Sequence, residues 1–364
     1  MRVLQVGLGD NPGGVETFAM NYARKLADKG VVFDFISMYG GIAYADEIRQ
    51  LGGEIFLIPN IKKNYFGYVN CFRKILQNGG YDVVHVNMLS AANIVPLRLA
   101  KAAGVKRVIA HSHNESTPGL VRKIMHYMNR AGIGYYANVK LACSIKAAKF
   151  LFGKHCCRKQ EVIVIKNAID VECFLFSELE REKMRSLMSW NKRLVIGHVG
   201  RFGIQKNHSA IVEIFREILK YEPRAILCLV GDGELRKEIE RRLKEYGIYD
   251  HVYFAGVQSE VWKFLSAMDV FLLPSLFEGL PFALIEAQAN GLPCVVSDVV
   301  SKEAIITDRV RKLSLQQSYA EWAKEIIDCS KRGREDKEYI QSMIREAHFD
   351  IEKESERLLC LYQG

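Results

Sequence analysis

Two glutamates eight positions apart, Glu278 and Glu286, stand in the run Pro274-Ser275-Leu276-Phe277-Glu278-Gly279-Leu280-Pro281-Phe282-Ala283-Leu284-Ile285-Glu286-Ala287. The pattern puts the first in an apolar loop bracketed by prolines and the second about one turn into the helix that follows. A carboxylate in such a loop is costly unless it accepts hydrogen bonds, and a polyhydroxylated partner would donate them. Gly279 and Leu280 can present backbone N–H groups at the start of the helix, where a phosphate would sit. Glu286, on the helix face, can accept both hydroxyls of a ribose. Charges that only solvate a surface explain this arrangement poorly.

Upstream, Gly197-His198-Val199-Gly200-Arg201-Phe202-Gly203-Ile204-Gln205-Lys206-Asn207-His208 follows a strand-like run. Arg201 and Lys206 lie five apart in a loop punctuated by glycines, a spacing that lets both cations converge on one diphosphate. Arg offers a planar fork of donors and Lys a mobile point charge; the alternative is two solvated loop charges. Near the N-terminus, Gly7-Leu8-Gly9-Asp10-Asn11-Pro12-Gly13-Gly14-Val15-Glu16 joins a strand to a helix, another place where N–H groups can meet an anion. Its spacing is one residue too long for a dinucleotide fingerprint, and the next strand lacks the terminal acid that would hold a ribose. His111 and His113, in Ala110-His111-Ser112-His113-Asn114, stand at the carboxyl end of another strand. His113, beside a polar residue and ahead of the Pro118-Gly119 turn, is expected to face a cleft. His85 and Asn87 end the neighbouring strand in the same way.

These residues need a scaffold that delivers strand ends to one edge. Apolar runs alternate with helical patterns throughout. Strands are expected at Arg2–Val6, 31–37, 54–58, 82–86, 107–110, Val139–Ala142 and 161–165, with helices such as 15–29 and 91–103 between them. The series restarts with strands at 194–199, 225–230, 252–254, Val270–Leu273 and 293–297, separated by helices at 209–221, 234–246, Val261–Ala267 and 282–290. A polar helical stretch, 177–192, separates the two series, and the last segment, 337–362, reads as helical with one charged side. The fold class is α/β with two doubly wound domains facing each other across a cleft at the carboxyl ends of their sheets. The first spans 1–175, with a C-terminal helix of about 345–364 returning to it, and the second spans 176–344.

With 364 residues, 49% hydrophobic and 26% charged, the chain suits a two-domain folded protein. No apolar run reaches the ~20 residues that span a bilayer. The chain enters a strand at once, without a signal-peptide apolar region, so a cytoplasmic protein is expected. The nine cysteines are scattered and include no C-x-x-C pair, which speaks against a disulfide framework or a zinc site. No D-x-D triplet is present to hold a metal ion. Residues 1–175 carry 23 Lys and Arg against 12 Asp and Glu, whereas 176–364 carry 28 against 30. The basic half therefore meets something anionic, a lipid headgroup or a diphosphate-bearing acceptor. Nucleic acid is not expected, because no recognition motif accompanies the charge. The stretch 119–130 mixes bulky apolar and basic residues at helical spacing and could rest on an anionic bilayer; an amphipathic core helix with solvated lysines is the other reading.

The E-x7-E run of Glu278 and Glu286 resembles the signature of the retaining glycosyltransferases of the glycosyltransferase 4 family, which have the GT-B fold. Supporting motifs occur in the family's order: Gly13-Gly14-Val15-Glu16, His113, Gly200-Arg201 with Lys206, Gly231-Asp232-Gly233 and Phe254-Ala255-Gly256. The likeness covers nearly the whole chain, and its length and the 110–114 run also resemble bacterial capsule and exopolysaccharide enzymes. The resemblance implies a nucleotide-diphosphate sugar, UDP-linked on family frequency, as donor and a polysaccharide-repeat or lipid-linked oligosaccharide as acceptor, without a metal or other cofactor. It implies that Arg201 and Lys206 neutralise the leaving diphosphate, helped by the backbone of Gly14, Gly279 and Leu280. It assigns Glu278 to the donor-sugar hydroxyls, Glu286 to the ribose and His113 to the sugar near its reacting face. The base would rest by Gly256 and Val257, and Gly13, Gly200 and Ser275 would complete the donor site. Retention would follow from same-face attack, with the leaving phosphate taking the acceptor's proton. A GT-B epimerase or hydrolase, or a silent nucleotide-binding protein, is the competing reading.

Overall fold

The computed structural model describes residues 1–11 and 13–364. The chain forms two compact units, one of Met1–Ile169 with His348–Gly364 and the other of Asp170–Ala347. The division thus falls at Ile169 rather than at 175, and the polar stretch expected to link the units is helix Glu178–Leu187, inside the second.

The first unit is built on seven strands: β1 (Arg2–Val6), β2 (Val32–Ser37), β3 (Ile55–Leu57), β4 (Val83–Met88), β5 (Arg107–Ser112), β6 (Val139–Ala142) and β7 (Ile163–Val164). They run parallel in the order β3-β2-β1-β4-β5-β6-β7. The second unit has six: β8 (Val195–Val199), β9 (Ile226–Val230), β10 (Val252–Gly256), β11 (Val270–Leu273), β12 (Cys294–Ser297) and β13 (Val310–Leu313), parallel in the order β10-β9-β8-β11-β12-β13. Continuous apolar strands such as Ile226-Leu227-Cys228-Leu229-Val230, buried at every residue, are what helices on both faces of a parallel sheet demand. In each sheet the strand order reverses once, between β1 and β4 and between β8 and β11. At such a point neighbouring strands send their following loops to opposite faces and leave a crevice at their carboxyl ends.

Glycine is required where backbones meet at these crevices. Gly7, just after β1, has φ +102, and a Cβ there would lie 2.3 Å from the carbonyl oxygen of Asn87 on β4. Gly231, after β9, has φ +129, and its Cβ would lie 2.2 Å from the carbonyl oxygen of Gly200. No side chain fits either position.

The C-terminal segment is not one helix but two, Lys337–Glu346 and Ile351–Gln363, broken where His348 adopts φ +60. The break lets Ile169 and Asp350 pair as a parallel bridge, with Ile351 N–H donating to the Ile169 carbonyl at 3.0 Å and Ile169 N–H to Phe349 at 2.9 Å. The last helix then packs on Gly14–Ala27, burying Ile351, Leu358 and Tyr362 with Phe18, Tyr22 and Leu26. Lys25–Glu352 and Lys29–Glu356 ion pairs flank the seam.

Because Leu358 is sealed in that core, Leu358→Ala is expected to lower stability by about 2–5 kcal/mol through lost contacts and a residual cavity. A urea melt reads this as an earlier midpoint. An unmoved midpoint would show that the helix does not belong to the first unit's core.

Candidate functional site

In the second unit the crevice between β8 and β11 is framed by two loops, 200–207 and 274–281. Backbone and side-chain bonds tie them: Leu276 N–H donates to the Gln205 carbonyl at 2.9 Å, and the Asn207 amide donates to Pro274 at 3.0 Å. Ser297 at the end of β12 donates to the Ser275 carbonyl at 2.7 Å. Between the loops lies Glu278, its side chain only 4% exposed. Lys206 Nζ stands 2.7 Å from Oε1, Ser275 Oγ donates to the same oxygen at 2.7 Å, and Gln205 Nε2 donates to Oε2 at 3.0 Å. The expectation that Glu278 must accept hydrogen bonds is met, but by the protein's own donors. Oε2 keeps room for a further donor, and Lys206, 16% exposed, keeps two of its three N–H groups.

Arg201 and Lys206 do not converge. The Arg201 side chain, 78% exposed, pairs with Glu234 at 3.1 Å, while Lys206 turns inward to Glu278. One cation is preset and the other lies in solvent, where its pairing is weak. The following helix begins at Phe282 with Pro281 as its N-cap, so Gly279 and Leu280 precede the helix rather than open it. Their N–H groups make no hydrogen bond among the described residues. Glu286 lies on that helix, half-buried, and its carboxylate has no partner among the described residues. Burial among its neighbours pushes the carboxyl up from its ordinary 4.5 to about 7. Gly256 ends β10 with φ +68 and accepts from Gly231 N–H at 2.7 Å, leaving Val257 exposed on the same sheet edge.

Two residues of this region escaped the sequence reading. His198, on β8, donates from Nδ1 to the Leu272 carbonyl on β11 at 2.8 Å and places Nε2 beneath Gly200, where an added Cβ would lie 3.0 Å away. His208 packs against Phe202 with neither ring nitrogen partnered among the described residues. Burial pushes both well below the ordinary imidazole range, His208 to about 4, so both are neutral supports. The signal was a histidine inside an otherwise apolar strand.

In the first unit, the glycine turn is already occupied. Glu16 folds back from the helix Gly14–Ala27 to accept from Gly9 N–H at 2.7 Å, and a Cβ on Gly13 would meet Glu16 Oε2 at 2.8 Å. The turn therefore holds a carboxylate where an anion had been expected to approach the Gly9 N–H; Gly14 opens the helix. Pro12 lies outside the described residues. His113 stands just past β5, with Nε2 2.9 Å from Asn87 Oδ1. Burial pushes it down to about 3, so it is a neutral ring.

A further surface feature of the first unit is the helix Leu120–Arg130. Leu120, Val121, Ile124, Met125, Tyr127 and Met128 are exposed, Leu120 at 74% and Met128 at 75%, and His126 alone is buried. Its apolar side faces outward, which rules out the core-helix reading. No helix among the described residues is long and apolar enough to cross a membrane, and no three His, Cys, Asp or Glu side chains among them gather as a metal-ligand set.

Residues 12–173 match the family model Glycosyltransferase Family 4, and residues 180–346 match Glycosyl transferases group 1. This chain belongs to the glycosyltransferases of family 4, and its two Rossmann-like units are those of the GT-B fold. A Bacillus subtilis (strain 168) protein carrying the name glycosyltransferase EpsF is 33% identical over 371 residues, covering 99% of this chain and 96% of that one. The Escherichia coli UDP-Gal:alpha-D-GlcNAc-diphosphoundecaprenol alpha-1,3-galactosyltransferase is 28% identical over 240 residues, 64% of this chain and 62% of that enzyme. Among solved structures, Anabaena HepE in complex with UDP has the same fold with a TM-score of 0.79 at 18% identity, over 99% of this chain and 98% of that one.

The state of Glu286 has a consequence for stability. Its raised value means that the folded chain keeps a proton which the unfolded chain releases between about 4.5 and 7. Stability therefore falls as pH rises through that window and levels off above it. Glu286→Gln cannot ionise, so its melting temperature should gain on wild type from about pH 5 to pH 8. Parallel melting curves across that range would show that Glu286 is an ordinary solvated acid.

Proposed function

We propose that this glycosyltransferase moves a hexosyl or N-acetylhexosaminyl group from a UDP-sugar to a polysaccharide-repeat or lipid-linked oligosaccharide acceptor, with retention and without a metal ion. The observation that carries the donor assignment is Glu286, an unpartnered, half-buried carboxylate on the helix that follows the Glu278 loop. A vicinal diol would give it two donors and relieve the cost of its ionisation. At the carboxyl edge of the same sheet, Lys206, preset by Glu278, and the open N–H groups of Gly279 and Leu280 suit a diphosphate, and Arg201 can leave exposed Glu234 to join them. Gly200, Gly256, Val257 and Ser275 belong to the same sheet edge. In the first unit, His113 is assigned to the sugar and Gly13 and Gly14 to the diphosphate.

The mechanism this supports is charge dispersal. As the anomeric bond breaks, negative charge grows on the leaving diphosphate and positive charge on the sugar ring. Lys206, Arg201 and backbone donors offset the first without needing a Lewis acid. Glu278, already holding Lys206, has an oxygen left to orient a sugar hydroxyl. The leaving phosphate oxygen takes the proton of the attacking acceptor hydroxyl on the same face of the sugar, which preserves configuration. The UDP in the HepE complex and the UDP-Gal in the name of the Escherichia coli relative favour uridine as the carrier.

Thermal shift against UDP, GDP, ADP, NAD and a panel of UDP-sugars tests the donor. UDP is expected to raise the melting temperature of wild type and to lose that effect in Lys206→Ala and Glu286→Ala. Stabilisation by NAD alone would overturn the assignment.

For the acceptor side, the exposed apolar row of Leu120–Arg130, together with Arg122, Lys123 and Arg130 on the same helix, suits the surface of an anionic bilayer on which a lipid-linked acceptor would be carried. Each basic residue near such a surface contributes about 1 kcal/mol. Reversal of all three to Glu is therefore expected to weaken co-sedimentation with phosphatidylglycerol vesicles at least about a hundredfold. Equal sedimentation of both proteins would sink the membrane assignment.

A further inference from the structure

A parallel sheet covered on both faces has little tolerance for polar side chains, yet one face of the first sheet carries a linked set of them. Gln5 on β1, His85 and Asn87 on β4, and His111 on β5 point to the side covered by the helices Gly14–Ala27 and Ile351–Gln363, and His113 follows two residues after His111. Tyr362 of the last helix joins them. All but His113 are fully or almost fully buried, so each must find a partner.

A backbone acceptor fixes the direction of the bonds around Asn87. The Val6 carbonyl can only accept, and the Asn87 amide nitrogen lies 3.2 Å from it and 2.8 Å from Gln5 Oε1. Asn87 therefore turns Oδ1 to His113, 2.9 Å from Nε2. An acceptor facing Nε2 assigns the ring proton to Nε2. The rest of the circuit agrees. With its oxygen committed to Asn87, Gln5 turns Nε2 to the Tyr362 hydroxyl at 3.4 Å, and that hydroxyl donates to His85 Nδ1 at 2.7 Å. His85 Nε2–H then donates to His111 Nδ1 at 3.0 Å. His111 Nε2–H is left without an oxygen or nitrogen partner among the described residues, and the His111 ring stands nearly perpendicular to that of Phe18 with centroids 4.7 Å apart. Burial holds His85 and His113 down to about 3, so no ring in the circuit carries a charge that would reverse it.

His113 Nδ1 is the one atom of this ring without a partner among the described residues, and it is not sealed in the core. We propose that Asn87 is a positioning residue that holds His113 as the Nε2–H tautomer, so that Nδ1 is a permanent hydrogen-bond acceptor and the sugar group it meets must be a donor, a hydroxyl or an amide N–H. The inference rests on the assignment of His113 to the donor sugar. Its chemical content is a selection rule: at the carbon His113 reads, a hydroxyl or an acetamido N–H is bound, while hydrogen, fluorine or a carboxylate, none of which donates, is not. Gln5 and Tyr362 hold Asn87 in turn, so a residue 249 positions beyond His113 helps to set what that ring accepts.

Histidine-selective 15N NMR on the full-length protein, with His113→Gln to assign the ring, reads the tautomer directly. The Nε2–H pattern, unchanged between pH 5.5 and 8, is expected; an Nδ1–H ring or an imidazolium in that range would overturn the proposal. Asn87→Asp offers a carboxylate instead and should bring a His113 titration into the same range, a spectroscopic change that a packing defect alone would not produce. Asn87→Leu should keep UDP affinity within about twofold. It should lose about tenfold in affinity for the UDP-sugar that most stabilises wild type, the worth of one neutral hydrogen bond. Equal losses for UDP and the UDP-sugar, or none, would overturn the positioning role. Absence of UDP binding by wild type is a separate result: it would remove the donor assignment while the tautomer still stands or falls on its own spectrum.

Discussion

A carboxylate that is 4% exposed has to be met by charge and by donors wherever the chain can bring them, and Glu278 draws the strand ends of the second unit together for that reason. Its partners, Gln205, Lys206 and Ser275, come from the loops after β8 and β11, the two strands at which the sheet reverses its order. The backbone bond from Leu276 to Gln205 and the side-chain bond from Asn207 to Pro274 then stiffen the same crossing. Lys206 is consequently placed before any ligand arrives, with two of its donors still free. Arg201, tied only to exposed Glu234, has its conformational freedom still to lose on binding.

Three glutamates of this chain show three answers to the same problem. Glu16 is met by a backbone N–H in the glycine turn, Glu278 by a lysine and two neutral donors, and Glu286 by nothing within the described residues. The first two have partners within their own unit and shape loops, with room for one more donor at Glu278 Oε2. The third is incomplete, and its displaced protonation equilibrium expresses that incompleteness. Partnered carboxylates thus fix loop geometry, while the unpartnered one is left with hydrogen-bonding capacity to spare.

Much of this was legible in the sequence, and for a physical reason. Buried parallel strands must be mostly apolar runs, so β1, β6 and β11 could be read to the residue even though Arg2, Gln5 and Lys140 interrupt two of them. Where that demand relaxes, reading fails. β13, Val310-Arg311-Lys312-Leu313, is an edge strand with two exposed cations and carries no such run. The helical pattern of 337–362 continues through the break at His348, because the break is imposed by the Ile169–Asp350 bridge, a pairing of residues far apart in sequence. That bridge also explains why the units divide at Ile169. The site divides in the same manner. Residue types announced Glu278, Glu286, Arg201, Lys206 and His113, since each is an unusual group in its local setting. Their partners were silent: nothing in Gly9 or Gly13 shows that Glu16 will fold onto the turn, and nothing in Arg201 shows that Glu234 will hold it away from Lys206.

The polar face of the first sheet adds a constraint of order. Gln5 and His85 are in place once the early strands have formed, but the hydroxyl that both of them meet belongs to Tyr362, which follows the whole second unit in sequence. The same helix contributes Ile351 and Leu358 to the core beneath. Until it docks, buried histidine and glutamine side chains lack partners and the apolar surface of the helix Gly14–Ala27 is uncovered, so the first unit cannot reach its native free energy on residues 1–169 alone. The second unit, continuous from Asp170 to Ala347, has no such dependence. Synthesis from the N-terminus thus completes the second unit first and closes the first one only after the returning segment His348–Gly364 has been made, when the circuit leading to Asn87 and His113 is also closed.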